Sequence, residues 1–344
     1  MDRARFETLT QEIAAQATVE QLLDLETRTA RLLAERVSEA LVARRSVEVA
    51  RDQKCPHCGG AKIVRHGRDG GGRQRFRCLK TDRGNGCGKT FNALSGTAFA
   101  RMRKPELWSG YARHLASGTS LSKIVDCADM AISRFTAWRW RHRLLAPLAA
   151  AKPERLGGVV EADETFFLRS FKGHRGWKRG QAPENRPPRY RGSGALLPGL
   201  SSQHVPVLTG IDRDGRCIDT RMDRRSTDQI VAALGGAVAP ESVLCTDGLS
   251  AYATLATVIG ADHRVFDPPE DDWLKKAMGH PPRQKGALGL GRVNGHHERM
   301  KTLINRVLRG VSTKYLPDYL AMLRLVCRPP SAPQETLQAA FSAG

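Results

Sequence analysis

Two sets of side chains in this sequence have types and spacings suited to chemistry. The first is a group of cysteines. Of eight, Cys55, Cys58, Cys78 and Cys87 fall close together, while Cys127, Cys217, Cys245 and Cys327 are scattered. Cys55-Pro56-His57-Cys58 is a CxxC knuckle. Such a turn makes two thiolates converge, as tetrahedral zinc requires. Cys78 and Cys87 are the expected partners, with a long loop, residues 79–86, between them. His57 or His66 could replace one thiolate. Four protein ligands close a zinc site, so a structural role is expected rather than a catalytic one. The scattered cysteines are expected to be small buried apolar residues.

The second set is acidic. Val159 to Phe167 reads as a strand, and period-2 alternation places Glu161, Asp163 and Thr165 on one face. Carboxylates inside an apolar strand are costly unless paired or bound to a cation. Asp247 follows the short apolar strand Val243-Leu244-Cys245, at the C-terminal strand end where α/β sheets place ligand-handling groups. Two carboxylates from separate strands suit Mg²⁺ or Mn²⁺. Two such ions about 4 Å apart stabilise the attacking and leaving oxygens of phosphoryl transfer. A third ligand is expected from a helix over 295–308. Met300, Leu303, Ile304, Val307 and Leu308 form its apolar stripe. Asn294, Glu298, Lys301 and Asn305 form the opposite polar stripe, with His297 at the boundary.

The elements that must position these groups are legible in the pattern of apolar residues. Residues 1–48 read as helical, with Leu22, Leu23, Leu25, Leu32, Leu33, Val37 and Leu41 suited to packing or dimerisation. Residues 50–98 hold the cysteine module, too small to fold on a core without a staple such as metal. Residues 100–150 read as three helices: Pro105 to Ala116, Leu121 to Ala128, and one capped by Ser133 running to Leu145. The last two have the layout of a helix-turn-helix. The third helix carries Arg134, Arg139, Arg141 and Arg143 as candidate DNA contacts among Phe135, Trp138 and Trp140. Residues 157–330 alternate strand and helix. They include a hairpin, Val205–Ile211 with Cys217–Met222, a helix from Thr227 to Leu234, a strand at His263–Phe266, and a helix over 315–326. Pro206 must sit at a strand start or edge.

Charge sets the partner. Lys plus Arg is 55 against 35 Asp plus Glu, a formal net of +20. Such an excess calls for a polyanion, and with no apolar run near the roughly 18 residues of a membrane helix that polyanion is nucleic acid. No membrane partner is expected. The N-terminus lacks the apolar stretch of a signal peptide, so a cytoplasmic, nucleoid-associated protein is expected. The basic segment 169–201 contains Lys172, Arg175, Lys178 and Arg179, suited to tracking phosphates.

Four stretches together resemble a known family. They are Cys55-Pro56-His57-Cys58 followed by residues 88–97, Val160 to Phe166, Thr246-Asp247-Gly248-Leu249-Ser250-Ala251-Tyr252, and Val293 to Lys301 followed by Gly310 to Leu316. The chain is similar to bacterial insertion-sequence transposases with an N-terminal zinc ribbon and a ribonuclease-H-like catalytic domain. The resemblance implies an α/β fold with a mixed sheet flanked by helices, preceded by a zinc ribbon and a helix-turn-helix module. It implies structural Zn²⁺, catalytic Mg²⁺ or Mn²⁺, double-stranded transposon-end and target DNA as partners, and a homo-oligomer on DNA. It assigns Asp163 and Asp247 to the two aspartate positions of a DDE-type site. The third position depends on the direction of alignment. From Asn294 it falls on His297. Back from Gly310 it falls on Glu298, because the chain carries one extra residue. Members that use Asn and Lys point to Asn294 and Lys301. Glu298 is the expected third ligand, since it is anionic and central on the polar stripe, with His297 as runner-up. The implied activity is DNA strand cleavage and strand transfer. The alternative is a catalytically inactive, sequence-specific DNA-binding protein derived from a transposase.

Overall fold

The computed structural model describes residues 2–80, 86–151, 154–172, 201, 203–266 and 288–342. The chain divides into two compact units, residues 1–114 with 121–144 and 330–344, and residues 115–120 with 145–329. Among the described residues no helix is long and apolar enough to cross a membrane.

The first unit begins with α1 (Arg3–Gln16) and α2 (Val19–Asp52). Thr18 and Gln21 form a reciprocal capping box that starts α2. The helix runs past residue 48, where the apolar pattern was expected to end. Its first half leaves Leu23, Leu32 and Leu33 exposed, while Ala34, Ser38 and Leu41 are buried. Ser38 Oγ donates to the carbonyl of Pro105 at 2.9 Å, tying α2 to the short 3₁₀ turn Pro105–Leu107. The cysteine module is a three-stranded antiparallel sheet, β1 (Ile63–Arg68), β2 (Gln74–Cys78) and β3 (Thr90–Asn92). Its core is little more than Phe76 stacked on Phe91, with Cys55 and Cys78. Three helices follow: α3 (Trp108–Ala116), α4 (Leu121–Asp126) and α5 (Arg134–Ala150). The Ser133 hydroxyl accepts the N–H of Thr136, the cap expected from sequence. A C-terminal helix over Pro333–Ser342, not anticipated from sequence, completes the unit by stacking Phe341 on Phe99.

The second unit is a five-stranded mixed sheet in the order β6-β5-β4-β7-β8: β4 (Val159–Leu168), β5 (His204–Asp212), β6 (Cys217–Arg221), β7 (Val243–Thr246) and β8 (Asp262–Val265). The first three strands form an antiparallel meander, and β7 and β8 add in parallel. Pro206 falls one residue outside the β5–β6 ladder, which begins at Val207–Arg221. One face of the sheet packs on α6 (Thr227–Leu234) and α7 (Ser250–Ile259) through Val160, Ala162, Leu208, Ile230 and Leu255. The other packs on α8 (Gly291–Lys301) and α9 (Leu316–Cys327) through Phe167, Val205, Val207, Met300 and Leu320. This helix–sheet–helix arrangement is the ribonuclease-H-like fold the sequence suggested. Helix α7 was not anticipated.

The helix expected over 295–308 is different in kind. It starts at Gly291, is α-helical to Lys301, and becomes a π turn over Thr302–Val307. Leu308 N–H bonds back to Leu303 O at 2.9 Å, five residues away. A π turn accommodates one additional residue in a helix. Arg309 and Gly310, both at positive φ, then end the element.

Candidate nucleic-acid and metal sites

In the first unit the four clustered thiols converge. Cys55 Sγ lies 3.7 Å from Cys87 Sγ, and Cys58 Sγ lies 3.7 Å from Cys78 Sγ. Four sulfurs bound at ~2.3 Å to one tetrahedral zinc stand about 3.8 Å apart, so the cluster has the dimensions of a four-thiolate zinc site. The long second spacing therefore does not disqualify Cys87. His57 and His66 are not members of the cluster. His57 instead sets its ring edge-on to Phe91, and its backbone N–H donates to Cys55 Sγ. The N–H of Gly60 lowers the Cys58 thiol to about 7, favouring a thiolate at neutral pH.

Helix α5 divides the arginines differently from the sequence expectation. Arg134 and Arg139 are exposed. Arg141 is 1% exposed and belongs to the packed interior. Arg143 is half-buried and donates to the carbonyl of Ala100. Neither is on the open face of the helix. The reason is helical phase: Ala137, Trp140, Arg141, Leu144 and Leu145 share the inward stripe. Phe135 is 67% exposed and stacks on Trp138.

In the second unit, register explains how two distant aspartates meet. Parallel pairing of β4 with β7 places Glu161 beside Cys245. Two residues further along each chain come Asp163 and Asp247. Strand β7 ends at Thr246, so β4 has no ladder partner on that side beyond Glu161. Into this notch also comes Glu164, from the opposite face of β4. Ligand oxygens of Asp163, Glu164 and Asp247 all lie within 4.8 Å of one another. Glu164 was missed in the sequence, where alternation argued it away from Asp163. Its neighbour relation to Asp163, an acid pair inside one strand, was the available signal. Glu164 accepts a hydrogen bond from the Tyr252 hydroxyl at 2.9 Å, and Arg225 stands 3.8 Å away.

Two of the carboxylates in this half-closed notch, Asp163 and Glu164, are raised. Burial raises Asp163 to about 6, helped by the charge of Asp247. Burial also raises Glu164 to about 7. Such groups favour a proton or a cation in place of bare charge.

Helix α8 supplies the third side. His297 is buried, with Nδ1 3.8 Å from Asp163 Oδ2. Its Nε2 is buried and has no hydrogen-bond partner among the described residues. Burial lowers this imidazole to about 4, so it is neutral at pH 7 with a lone pair to give. Glu298, the expected ligand, is 75% exposed and pairs at 3.9 Å with Lys301. Asn294 is exposed as well, and Lys301 is half-exposed. The π turn over Thr302–Val307 follows this stretch, and the α-helical part before it brings His297 beside Asp163.

Glu161 acts on the same helix without joining the cluster. Its Oε2 accepts the backbone N–H groups of Arg292 and Val293 at 2.7 and 3.0 Å, and its Oε1 pairs with Arg213 at 2.9 Å. Helix α8 has no side-chain cap of its own. A buried carboxylate from the central strand does that work and fixes where α8 begins.

Lys172 is exposed and donates Nζ to the carbonyls of Arg309 and Gly310, so it closes the turn after the π segment. Arg175, Lys178 and Arg179 lie outside the described residues.

The hard oxygen donors of Asp163, Glu164 and Asp247 fit a divalent cation such as Mg²⁺ or Mn²⁺.

No curated protein matches the chain. Among solved structures it is similar to a chain of the simian T-cell lymphotropic virus intasome in complex with PP2A regulatory subunit B56 gamma, determined by cryo-electron microscopy. That match has 12% identity and a TM-score of 0.27, and covers 62% of this chain and 64% of that one. The present chain thus spans less than two thirds of the solved chain, and so low a score carries no structural argument. Residues 155–324 match the ISXO2-like transposase domain, the stretch that contains the mixed sheet, the acidic notch and α8. This stretch is thus an insertion-sequence transposase domain of the ISXO2-like kind.

Proposed function

We propose that the protein is a DNA transposase that binds the ends of its element and performs metal-dependent strand cleavage and strand transfer. The observation that carries this reading is the notch in which Asp163, Glu164 and Asp247 meet, with the buried imidazole of His297 beside Asp163. Asp163 and Asp247 would hold the cations, with His297 as the third ligand in place of Glu298. Divalent cations bound there supply the charge stabilisation that in-line attack at a phosphodiester needs. Glu164 is held by Tyr252 and faces Arg225, so it can keep or release a proton as charge in the notch changes. Lys301, one turn beyond His297, would meet a phosphate oxygen of the scissile strand.

Binding of the ends is assigned to the first unit. Residues 50–98 form the proposed zinc ribbon and residues 100–150 the helix-turn-helix. In the latter, Arg134, Phe135, Trp138 and Arg139 occupy the outer face of α5. The basic stretch containing Lys172, Arg175, Lys178 and Arg179 would track phosphates. Strand transfer requires two ends held together, so a homo-oligomer on DNA is part of the proposal.

The test is cleavage of a duplex carrying the element's terminal repeats with Mg²⁺ or Mn²⁺. Wild type should nick at the repeat end. Asp163→Asn, Asp247→Asn and His297→Ala should each lose at least about a hundredfold, within the range one preorganised charge contributes. Binding without nicking in wild type would replace this reading with that of a DNA-binding relic. Full activity in His297→Ala with loss in Glu298→Ala would return the third ligand to Glu298.

A further inference from the structure

A second convergence of ligating side chains lies in the catalytic unit, apart from the acidic notch. Cys217 opens the edge strand β6, and Asp219 follows two residues later, so period-2 alternation turns both to one face. His296, on α8, is 1% exposed and meets them there. Ligand atoms of Cys217, Asp219 and His296 all lie within 4.8 Å of one another. Cys327, the last residue of α9, is exposed and stands near enough to His296 and Cys217 to act on both electrostatically. Two elements thus bring one thiol, one carboxylate and one imidazole together, and a third places a second thiol beside them.

The simpler reading is a buried ion pair. His296 Nε2 stands 3.0 and 3.1 Å from the two oxygens of Asp219, whose Oδ1 also accepts the Thr209 hydroxyl at 2.8 Å. Burial opposes protonation of His296, but Asp219 and Cys327 outweigh it and lift the imidazole to about 9. An ion pair accounts for two of the four groups and gives no use to the thiols. It also leaves Cys217 as an inert thiol, pushed up to about 12 by burial and the neighbouring Asp219.

We propose that Cys217, Asp219, His296 and Cys327 form a second zinc site, which clamps β6, α8 and the end of α9 together. Two thiolates, an imidazole and a carboxylate are a borderline-soft, four-ligand set of the kind zinc takes. Nitrogen and oxygen ligands bound at ~2.0–2.1 Å in a tetrahedron stand roughly 3.3 Å apart, so the observed nitrogen–oxygen spacing needs only a small opening to admit the ion. Three anionic ligands around a dication leave one negative charge. Arg324 and Arg299 both act electrostatically on Cys217 and offset that charge. All four side chains come from the protein, so the site is closed and structural. Its effect on the chemistry is indirect. It anchors the residue next to His297, and with Glu161 at the start of the helix it holds α8 at two points.

The experiment is zinc content by mass spectrometry on full-length protein, read in variants that separate the two sites. Wild type should carry two zinc ions per chain. Cys55→Ser/Cys58→Ser should keep one, and Cys217→Ser/Cys327→Ser should lose one while retaining the wild-type circular dichroism. Cobalt bound to Cys55→Ser/Cys58→Ser should show thiolate charge-transfer absorption and the intense visible bands of a four-coordinate ion, both abolished when Cys217→Ser is added. Should Cys217→Ser/Cys327→Ser fail to fold, Cys55→Ser/Cys58→Ser decides alone. No zinc and no cobalt bands in that variant would overturn the proposal, as would a disulfide between Cys217 and Cys327 in the purified wild type. One zinc in wild type that survives in Cys55→Ser/Cys58→Ser would support this site and remove zinc from the ribbon.

Discussion

Asp163 and Glu164 are consecutive in one strand, yet both carboxylates reach the same notch because β7 stops short beside them. Their raised values, about 6 and about 7, make a sign-definite prediction. A carboxyl whose folded value lies above its unfolded one is better protonated in the fold. The metal-free fold therefore loses stability as pH rises from about 4 through 7. A divalent cation reverses the effect only where the carboxylates are ionised. Adding Mg²⁺ or Mn²⁺ should thus raise the melting temperature much more at pH 8 than at pH 5.5, and Asp247→Asn should lose most of that increment in differential scanning fluorimetry. An equal increment at both pH values would contradict the notch as the binding place. Glu298 belongs to the surface. Glu298→Ala should change stability by less than about 0.5 kcal/mol in urea titration and leave end cleavage within about twofold of wild type.

Helix α8 is the element on which the site depends, and its start is decided by Glu161. Glu161→Gln leaves one carbonyl oxygen where a carboxylate met two helix N–H groups and Arg213. It should cost about 1–2 kcal/mol in urea unfolding, the range of a lost cap with a charge-assisted bond. It should also lower metal-dependent cleavage more than DNA binding, since it moves α8 and not the first unit. A drop in binding as large as the drop in cleavage would show a general folding defect. Beyond Lys301 the helix becomes a π turn, and the α-helical part before it buries His297 beside Asp163 while Glu298 stays exposed.

At the scale of the molecule, a net +20 and the four-thiol cluster set the behaviour to be expected. If six or more phosphates are neutralised, affinity for terminal-repeat DNA should fall by about 10³ or more between 50 and 200 mM salt, as anisotropy titration would read. A flat salt dependence would refute nucleic acid as the partner of this charge. Zinc removal should act locally. Among the described residues the buried core of the cysteine module is Phe76 and Phe91 beside its thiols, with a few partly buried residues packed on them, so chelation should abolish amide protection across residues 55–92. Strands β4 and β5, with apolar packing on both faces, should keep theirs in the same hydrogen-exchange experiment.

Local pattern was enough for the alternation of strands and helices after residue 157, the clustered thiols, Asp163 and Asp247, and the basic character of the chain. Each is written in period, spacing or composition, and needs no knowledge of distant contacts. Packing settled what remained. Glu164 joined the notch because of where a neighbouring strand ends. Arg141 turned inward because of the phase at which α5 meets its unit. Glu161 became the cap of a helix far along the chain because a sheet face placed it there. His297 lies buried beside Asp163 and Glu298 faces outward because of the phase at which α8 meets the sheet. Cys217, unremarkable as an isolated cysteine, came within ligand reach of His296 only when β6 and α8 packed together. In every case the deciding quantity is a register or a phase between elements distant in sequence, and no window of neighbouring residues contains it.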